Sequence, residues 1–485
     1  MLESNSNIGG LHKVRLPTFK KIVLIGLAVI GVGLIPNEAV LAEAEGQTSA
    51  GVGGPENIVV DIDTNMIPVY WDGNPSGDAA GKWKTVDPAN LDNRWYDYTK
   101  KYWANAVTVE YNALSTYQNT TDKVVDEADI MGYWVYVPRY RYQIQRYSGI
   151  GHQPIEKPTA FHIKFENQST AGYQKAIPEQ NGDWATHPAF SFGDDDNPNP
   201  TELNGLWIGK FEMTGTANQP TVKPNLPSLR NRGIGAQFTA SLNMSTNPDG
   251  AAGGNFIIPK GGGNNVHNLS GQTQSHVAKN SDWGAAVYLA TSSYGRNSVE
   301  TWSNSNTQAT TGCSGDSVSA AASSTCHQYY TSEGVHASTT DNIYGAYDMS
   351  GGLSEYVMGN YGDTADSHFI TIVPQTRYLN VYYVGPFGIK PSQSLSSAEY
   401  YYNFDICNFE LCGGQANHET TRFQSVSLNN QAWFSDSSEF PEKSYMWTRR
   451  GGYYIDTVYA GLFSSHMAIG GSDDHTSFRT VLSRF

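Results

Sequence analysis

The sequence predicts an α+β domain with little regular secondary structure, preceded by a small β-rich aromatic unit. Glycines and tyrosines are interleaved with apolar residues from Asn342 to Tyr361, which indicates a tightly turned core segment. Elsewhere, short runs of alternating apolar and polar residues indicate strands, and two segments have the apolar spacing of a helix. Stretches rich in Gly and Asn (residues 247–274) or in Ser and Thr (residues 303–340) separate these elements, so much of the domain is expected to be irregular.

The composition favours an exported protein that does not bind nucleic acid. Aromatic residues make up 12% of the 485 residues and charged residues only 16%, a balance that suits loop-rich extracellular proteins with tyrosine-lined surfaces. The formal net charge of −15 argues against a nucleic-acid partner, because such a partner requires a basic face.

Residues 1–42 resemble a secretory signal peptide. A basic stretch precedes the apolar run 22–35, and alanines follow at the expected cleavage site near Ala42. As a helix the 14-residue run would reach about 21 Å, which is shorter than the roughly 30 Å hydrocarbon core of a bilayer. We therefore expect a secreted, extracellular or cell-surface chain with no stable membrane span after cleavage. Retention of the segment as an anchor is the alternative.

The rest of the chain divides into three parts. A Gly- and Ala-rich linker covers residues 43–57, and the small β-rich aromatic unit covers residues 58–128, where alternation predicts short strands joined by Asp-Gly and Asn-Pro turns. The main domain covers residues 129–485. Because the aromatic unit is too small for a large core of its own, it either docks on the main domain or acts as a separate binding module.

Two strands and an acidic turn are predicted at the start of the main domain. Alternating residues predict one strand from Met131 to Pro138 and another over 206–211. Asp194–Asp196 lie in a turn before the second strand. Their oxygen atoms leave calcium open as a ligand, although a solvated acidic turn is more common and the spacing does not match an EF-hand loop.

Two helices are predicted in the middle of the domain. Apolar residues recur every four residues from Ile234 to Leu242. In the second helix Asn280 or Ser281 is expected to cap the start, the apolar face runs from Trp283 to Tyr294, and Gly295 follows the end.

The cysteines fit an oxidising compartment. The chain has four: Cys313, Cys326, Cys407 and Cys412. Four cysteines allow three connectivities, and the two local pairs 313–326 and 407–412 are the expected disulfides. Free thiols are the alternative for an unexported chain. A zinc site lacks support, because no Cys-x-x-Cys pair and no neighbouring His pair is present.

The segment NIYGAYDMSGGLSEYVMGNY, from Asn342 to Tyr361, resembles the signature of the formylglycine-generating-enzyme family, also called sulfatase-modifying factors. The family pattern is similar to N-x-[YF]-G-L-Y-D-M-x-G-N-[VA]-W-E-W. The residues that match in register are Asn342, Tyr344, Gly345, Tyr347, Asp348, Met349, Gly351 and Glu355. Gly352, Ser354 and Tyr356 replace the usual Asn, Trp and Trp.

Further motifs resemble the family in the family's order. They are the opening strand that ends at Pro138, Lys210–Glu212, the helix around Trp283, Arg449–Gly452, and Phe478-Arg479. The resemblance implies a C-type-lectin-like fold over roughly Gly132 to Phe485. It also implies structural roles for Glu355, Arg450 and Arg479, with Glu355 as a buried carboxylate that accepts hydrogen bonds.

The resemblance does not extend to the family's chemistry. Formylglycine-generating enzymes bind copper through two cysteines a few residues after the R-G-G strand, and Asp456 and Gly461 stand at those positions. Common catalytic motifs are also missing from the sequence. We therefore expect a non-enzyme with no cofactor other than the calcium left open above. The alternatives are an oxidoreductase of this family that acts on a cysteine or small molecule, and a purely structural surface-layer component.

Loops near the C-terminus are the predicted ligand-binding site. The candidate residues, which lie between the R-G-G and F-R strands, are Tyr454, Asp456, Tyr459, Ser464, His466, Asp473, Asp474 and His475. Tyr, Ser, Asp and His on loops over a rigid scaffold are typical of adaptable recognition surfaces. The arrangement resembles the ligand-binding end of lectin-fold variable proteins encoded by diversity-generating retroelements. The sequence thus predicts a secreted or cell-surface, non-catalytic binding protein for a protein or glycan, with core packing as the alternative for Tyr454.

Overall fold

The computed structural model describes residues 52–53, 55–87, 94–146, 158–168, 184–192, 201–246, 252–253, 256–257, 263–361, 378–381, 413–421, 432–441 and 444–485. The chain from Thr48 to Phe485 forms one compact unit. It is a mixed α+β fold, with mostly short strands in several sheets and long irregular connections. The signal-like segment 1–42, the acidic turn Asp194–Asp196, Cys407 and Cys412 lie outside the described residues.

The strands in chain order are β1 Val52–Gly53, β2 Ile67–Trp71, β3 Trp83–Thr85, β4 Asn105–Val109, β5 Ile130–Pro138, β6 Tyr140–Arg146, β7 Pro158–Glu166, β8 Ala185–Thr186, β9 Ser191–Phe192, β10 Thr201–Glu202, β11 Gly205–Gly209, β12 Thr214–Gly215, β13 Pro220–Thr221, β14 Ala252–Gly253, β15 Phe256–Ile257, β16 Thr273–Val277, β17 Cys313–Ser314, β18 His327–Gln328, β19 Ser354–Asn360, β20 Asn380–Val381, β21 Trp447–Gly451, β22 Gly461–Ala468, β23 Thr476–Phe478 and β24 Thr480–Arg484. The helices of the described residues are α1 Tyr111–Tyr117, α2 Ile234–Leu242 and α3 Asn280–Thr291.

The largest sheet of the described residues has seven antiparallel strands in the order β16-β24-β11-β5-β4-β2-β3. Strands β2, β3 and β4 come from the aromatic unit, and β4 pairs with β5 of the main domain over Asn105–Val109. The aromatic unit is therefore docked edge to edge on the main domain. The C-terminal strand β24 lies between β11 and β16 in this sheet.

Strand β5 begins one residue before the predicted Met131, ends at Pro138 as predicted, and is buried on both faces. Trp134 and Tyr136 pack in one hydrophobic core, whereas Val135 and Val137 pack in the other. Successive side chains of a strand point to opposite faces, so one strand supplies both cores. The second predicted strand is shorter than expected, because β11 ends at Gly209 and the following Lys210–Glu212 leave the ladder.

Lys210 connects the aromatic unit to the signature segment. Its Nζ is fully buried and donates to Asn105 Oδ1 at 2.9 Å, to the Ile343 carbonyl at 2.7 Å and to the Gly345 carbonyl at 2.8 Å. Three acceptors match the three protons of an ammonium group. One side chain thus ties β4 to the turn before Tyr347.

Helix α2 has the predicted bounds, but the second prediction needs correction. Helix α3 begins at Asn280, so Lys279 occupies the capping position, and its backbone N–H donates to Asp282 Oδ2 at 2.8 Å. Tyr294 lies beyond the end at Thr291. Trp283, Val287 and Ala290 of the predicted apolar face are buried in the helix, and so are the other helical residues, so α3 is enclosed on every side. Local spacing cannot report such burial.

Helix α1 was not predicted from the sequence. Of its seven residues, Leu114 and Tyr117 are buried, while Tyr111 is 70% exposed. Two buried residues do not produce a recognisable periodicity, and a helix this short is stabilised mainly by its docking.

The local disulfide Cys313–Cys326 is confirmed, with a Cα–Cα distance of 4.9 Å. It closes the Ser/Ala-rich loop beside strands β17 and β18. No helix among the described residues is long and apolar enough to cross a membrane.

A second sheet positions the predicted site. It has the strand order β20-β19-β21-β22. Strand β23 also pairs with β19, in parallel. The register places Glu355 of β19 opposite Arg450 of β21, and Arg449 opposite His466 of β22. The signature segment, the R-G-G strand and the F-R strand therefore lie side by side.

Candidate functional site

A salt bridge joins the signature segment to the last strands. Glu355 and Arg479 are both buried, and Arg479 donates from Nη2 and Nε to the two carboxylate oxygens at 2.5 and 3.1 Å. Arg479 Nη1 also donates to the Gly209 carbonyl at 2.6 Å, and Nη2 donates to the Tyr347 carbonyl at 2.8 Å. The guanidinium group thus connects β11, β19 and the junction of β23 with β24.

Two further carboxyl groups lie in the same buried region. Asp348 Oδ1 accepts from the Gly312 N–H and from Asn304 Nδ2, both at 2.9 Å. Glu212 Oε1 accepts from the Leu353 N–H at 2.8 Å, and the Glu212 N–H points to Asp348 Oδ2 at 3.5 Å.

We name Glu212, Asp348, Glu355 and Arg479 the buried ionic cluster. Burial raises the pKa of Glu355 to about 7, against the opposing charge of Arg479. Burial also raises the pKa of Asp348, and burial together with the charges of Glu355 and Asp348 raises the pKa of Glu212 well above its usual range. Arg479 is paired directly with Glu355, whereas Glu212 lies near two other carboxyl groups, so the protonated form of Glu212 is favoured.

Arg450 is buried, whereas its neighbour Arg449 on β21 is half-buried. Its guanidinium carbon is 5.8 Å from the centroid of the Trp283 ring, and Nη2 donates to the Ala416 carbonyl at 2.7 Å. Arg450 thereby connects the R-G-G strand to helix α3 and to the segment 413–421.

Gly461 and Asp456, where the resemblance would place two thiols, are unsuited to copper. A Cβ atom at Gly461 would lie 2.2 Å from Asp436 Oδ2, an oxygen that accepts from the Phe463 N–H. A cysteine side chain therefore does not fit there unless Asp436 moves. Asp456 Oδ2 accepts from the Tyr453 N–H at 2.9 Å and is a hard oxygen ligand.

Next to the second sheet, a loop and a turn form one exposed surface. We name residues 453–459 and 472–475 the loop face. The Tyr454 N–H donates to the Gly352 carbonyl and the Ser354 N–H donates to the His475 carbonyl, both at 3.0 Å. Gly352 has a φ of +71°, a conformation that glycine adopts without strain. Both segments of the loop face are thus attached to the signature segment.

Side chains connect the loop to the turn. The rings of Tyr453 and His475 lie 5.1 Å apart. His475 Nδ1 lies 3.2 Å from Asp473 Oδ1 and 3.1 Å from Asp474 Oδ1. Arg449 Nη1 lies 3.4 Å from Asp473 Oδ2, which fixes the turn to strand β21.

Three large apolar side chains of the loop face are exposed. Ile455 is 47%, Val458 49% and Tyr459 45% exposed. Sequence reasoning included Tyr459 but missed Ile455 and Val458, because isolated apolar residues in a sequence usually indicate a core. Their exposure could have been suspected from their position in a short loop that follows two glycines.

The predicted residues do not all belong to this surface. Ser464 is fully buried in β22 and cannot contact a ligand on the loop face. His466 lies opposite Arg449 on the adjoining strand, partly exposed, with its Nδ1 3.7 Å from Glu439 Oε2. Asp473, Asp474 and His475 are brought together, and Tyr453 connects them to Tyr454 and Asp456. Tyr459 lies in the same loop as Tyr454.

The turn 472–475 of the loop face has the composition of a weak cation site. One ligand atom from each of Asp473, Asp474 and His475 lies within 4.8 Å of the others. Calcium prefers six to eight oxygen ligands, whereas this set includes an imidazole and already forms internal ion pairs. The arrangement fits a solvated ion-pair group better than a calcium site.

Comparisons with known proteins add no relative: neither the scan against protein-family models nor the search of curated proteins found a match for this chain.

Proposed function

We propose that this chain is a secreted or cell-surface binding protein that recognises a protein or glycan through the loop face. The observation that carries the proposal is the combination of exposed apolar, tyrosine and acidic side chains on a loop and turn held by a buried sheet. Monomeric proteins rarely expose grouped apolar side chains without a partner for them. Loops on a rigid scaffold are also the usual place for recognition residues.

We further propose that the scaffold is a formylglycine-generating-enzyme-type, C-type-lectin-like fold. The residues that resemble the family's motifs meet although they are distant in the chain. Glu355 bonds Arg479 across 124 positions, and it pairs in the ladder with Arg450. Convergence of separate motifs on one sheet supports the resemblance better than any motif alone.

A non-catalytic role is favoured by the residues at the family's copper positions. Gly461 has no space for a thiol and Asp456 offers oxygen. The purified chain with copper is therefore expected to leave a Cys-x-Pro-x-Arg peptide unoxidised. A copper-dependent peptide aldehyde, detected by mass spectrometry, would contradict this part of the proposal.

Export is supported by the signal-like residues 1–42 and by the disulfide Cys313–Cys326. Disulfides persist mainly in oxidising compartments, and intracellular thiols are usually kept reduced.

The binding role is tested with two triple variants of the fluorescently labelled chain. Ile455→Ser, Val458→Ser and Tyr459→Ser together change the loop face. Tyr111→Ser, Val124→Ser and Val299→Ser are the matched control, since these residues are 70, 46 and 57% exposed elsewhere.

Wild type and both variants are applied to a glycan array and a displayed-peptide library. Ligands of the wild type should lose at least about tenfold in affinity for the loop-face variant, because grouped apolar anchors commonly dominate binding energy. The control should bind as the wild type does. The proposal fails if nothing binds, or if every ligand binds the loop-face variant with unchanged affinity while both variants keep the wild-type melting temperature.

A further inference from the structure

The loop face combines apolar exposure with negative charge. Asp456 lies in the chain between the exposed Ile455 and Val458. Asp473 and Asp474 lie on the adjoining turn, where the side chain of Asp474 is 62% exposed. Arg449 offsets only part of this charge, because it is paired with Asp473. A partner therefore meets an apolar surface with carboxylates next to it.

Carboxylates of the loop and of the turn both affect Tyr453. The pKa of Tyr453 is raised, first by burial and then by the negative charges of Asp456 and, more weakly, Asp473. Negative potential from two separate chain segments thus converges on one tyrosine ring. Tyrosine faces beside carboxylates attract cations, because the ring quadrupole adds to the Coulomb attraction.

Resting on the proposed function, we propose that the partner of the loop face is a polypeptide segment with Arg or Lys next to apolar side chains. Its apolar residues cover Ile455, Val458 and Tyr459. Its cations lie against Asp456, Asp474 and the tyrosine rings. Charge complementarity of this kind accelerates association and excludes acidic competitors.

Other occupants fit the surface less well. A second copy of the chain in a two-fold interface would place two negatively charged loop faces against each other, and like charges oppose each other. Acidic glycans and membranes with anionic lipids are repelled for the same reason. A neutral glycan needs hydrogen-bonding groups where Ile455 and Val458 present only hydrocarbon.

The test measures the binding of two labelled nine-residue peptides to the full chain by fluorescence anisotropy. One peptide has three Arg-Leu-Gly repeats and the other has three Glu-Leu-Gly repeats. We expect the arginine peptide to bind, with affinity that falls as salt is added, and the glutamate peptide not to bind.

Two charge-matched double variants locate the binding. Asp456→Asn with Asp474→Asn should weaken the arginine peptide about three- to tenfold, as expected for two exposed ion pairs, while the introduced amide oxygen still accepts from the Tyr453 N–H. Glu110→Gln with Glu127→Gln removes the same charge from exposed positions beside helix α1 and should leave the affinity within about twofold.

The outcomes separate this inference from the proposed function. Absence of arginine-peptide binding, or equal weakening by both double variants, rejects the cationic partner. A glycan or neutral peptide that is lost in the Ile455, Val458 and Tyr459 variant, but is insensitive to Asp456→Asn with Asp474→Asn, also rejects it and leaves the binding role intact. If every ligand is insensitive to both sets of changes, the binding role itself is rejected.

Discussion

Glu355 and Arg479 form an ion pair that water does not reach, whereas Asp473 and Arg449 form one on the surface. The side chains of the first pair are 0 and 2% exposed, and those of the second are 36 and 24% exposed. An exposed pair contributes little, because water screens the charges and already solvates each partner. A buried pair leaves an uncompensated charge in the interior if one partner is removed. The same kind of carboxylate–guanidinium pair therefore holds the fold in one region and lies at the recognition surface in the other.

The largest expected effect is that of Glu355→Ala. The change leaves the Arg479 guanidinium buried without its carboxylate, and we expect the free energy of unfolding to fall by about 3–5 kcal/mol. Urea unfolding followed by tryptophan fluorescence measures the loss, and Asp474→Ala is the surface control. Equal stability of Glu355→Ala and wild type would remove Glu355 from the buried ionic cluster.

The pH dependence of the cluster is the next largest effect. The folded-state pKa values of Glu212 and Glu355 are raised, so the folded chain holds protons that the unfolded chain releases above about pH 4.5. Their contribution to stability is complete below that pH and is lost as pH rises, toward about 7 for Glu355. The raised pKa of Glu212 acts in the same direction.

Glu212→Gln isolates this contribution, because the amide resembles the protonated acid. Relative to wild type, the variant should gain unfolding free energy as pH rises above about 4.5, by at most about 1.4 kcal/mol for each pH unit. Denaturant titrations of both proteins at several pH values give the slope, and Asp474→Asn is the surface control. A pH-independent difference between Glu212→Gln and wild type would mean that Glu212 is ionised in the fold.

Gly461→Ala tests the packing beneath the loop face. The new Cβ would lie 2.2 Å from Asp436 Oδ2, so we expect a loss of about 1–3 kcal/mol. Gly271→Ala is the matched control, since no atom lies within 4 Å of its Cβ position, and it should be neutral or slightly stabilising. Thermal unfolding of both variants gives their melting temperatures, and that of Gly461→Ala should be the lower. Identical melting temperatures would show that Asp436 can move, and that the thiol position is accessible.

The smallest expected effect is that of Asp473→Asn. It removes a surface pair with Arg449 and a contact to His475, and the unfolding free energy should change by less than about 0.5 kcal/mol. Calorimetry in low and high salt measures it. A loss larger than about 1 kcal/mol would show that the turn stabilises the fold as the buried ion pair does. The contrast between the two regions would then not hold.

Several features of the fold could be predicted because they depend on neighbours in the chain. Strand β5 alternates and ends at Pro138, and helix α2 repeats apolar residues every four positions. The disulfide Cys313–Cys326 closes a short loop, for which local pairing is favoured. At the candidate site, the position of the loops after Gly452 could be expected from the motif that precedes them.

Other features depended on residues far apart in the sequence. Burial of Ser464, exposure of Ile455 and Val458, and enclosure of helix α3 on all sides are set by which segments pack against them. Residue type alone predicts the opposite for Ser464 and Ile455, because it reports the preference of a side chain and not the presence of a neighbour.

The sequence by itself determined several local conformations, among them strand β5 and helix α2, together with the acidic charge and the residues available for chemistry. Only the tertiary structure decided which of those residues meet: Glu355 with Arg479, and Tyr453 with His475. The physical reason is that burial and charge pairing act through space. The same Asp or Arg holds a core when neighbours exclude water from it, and remains a surface group when water reaches it.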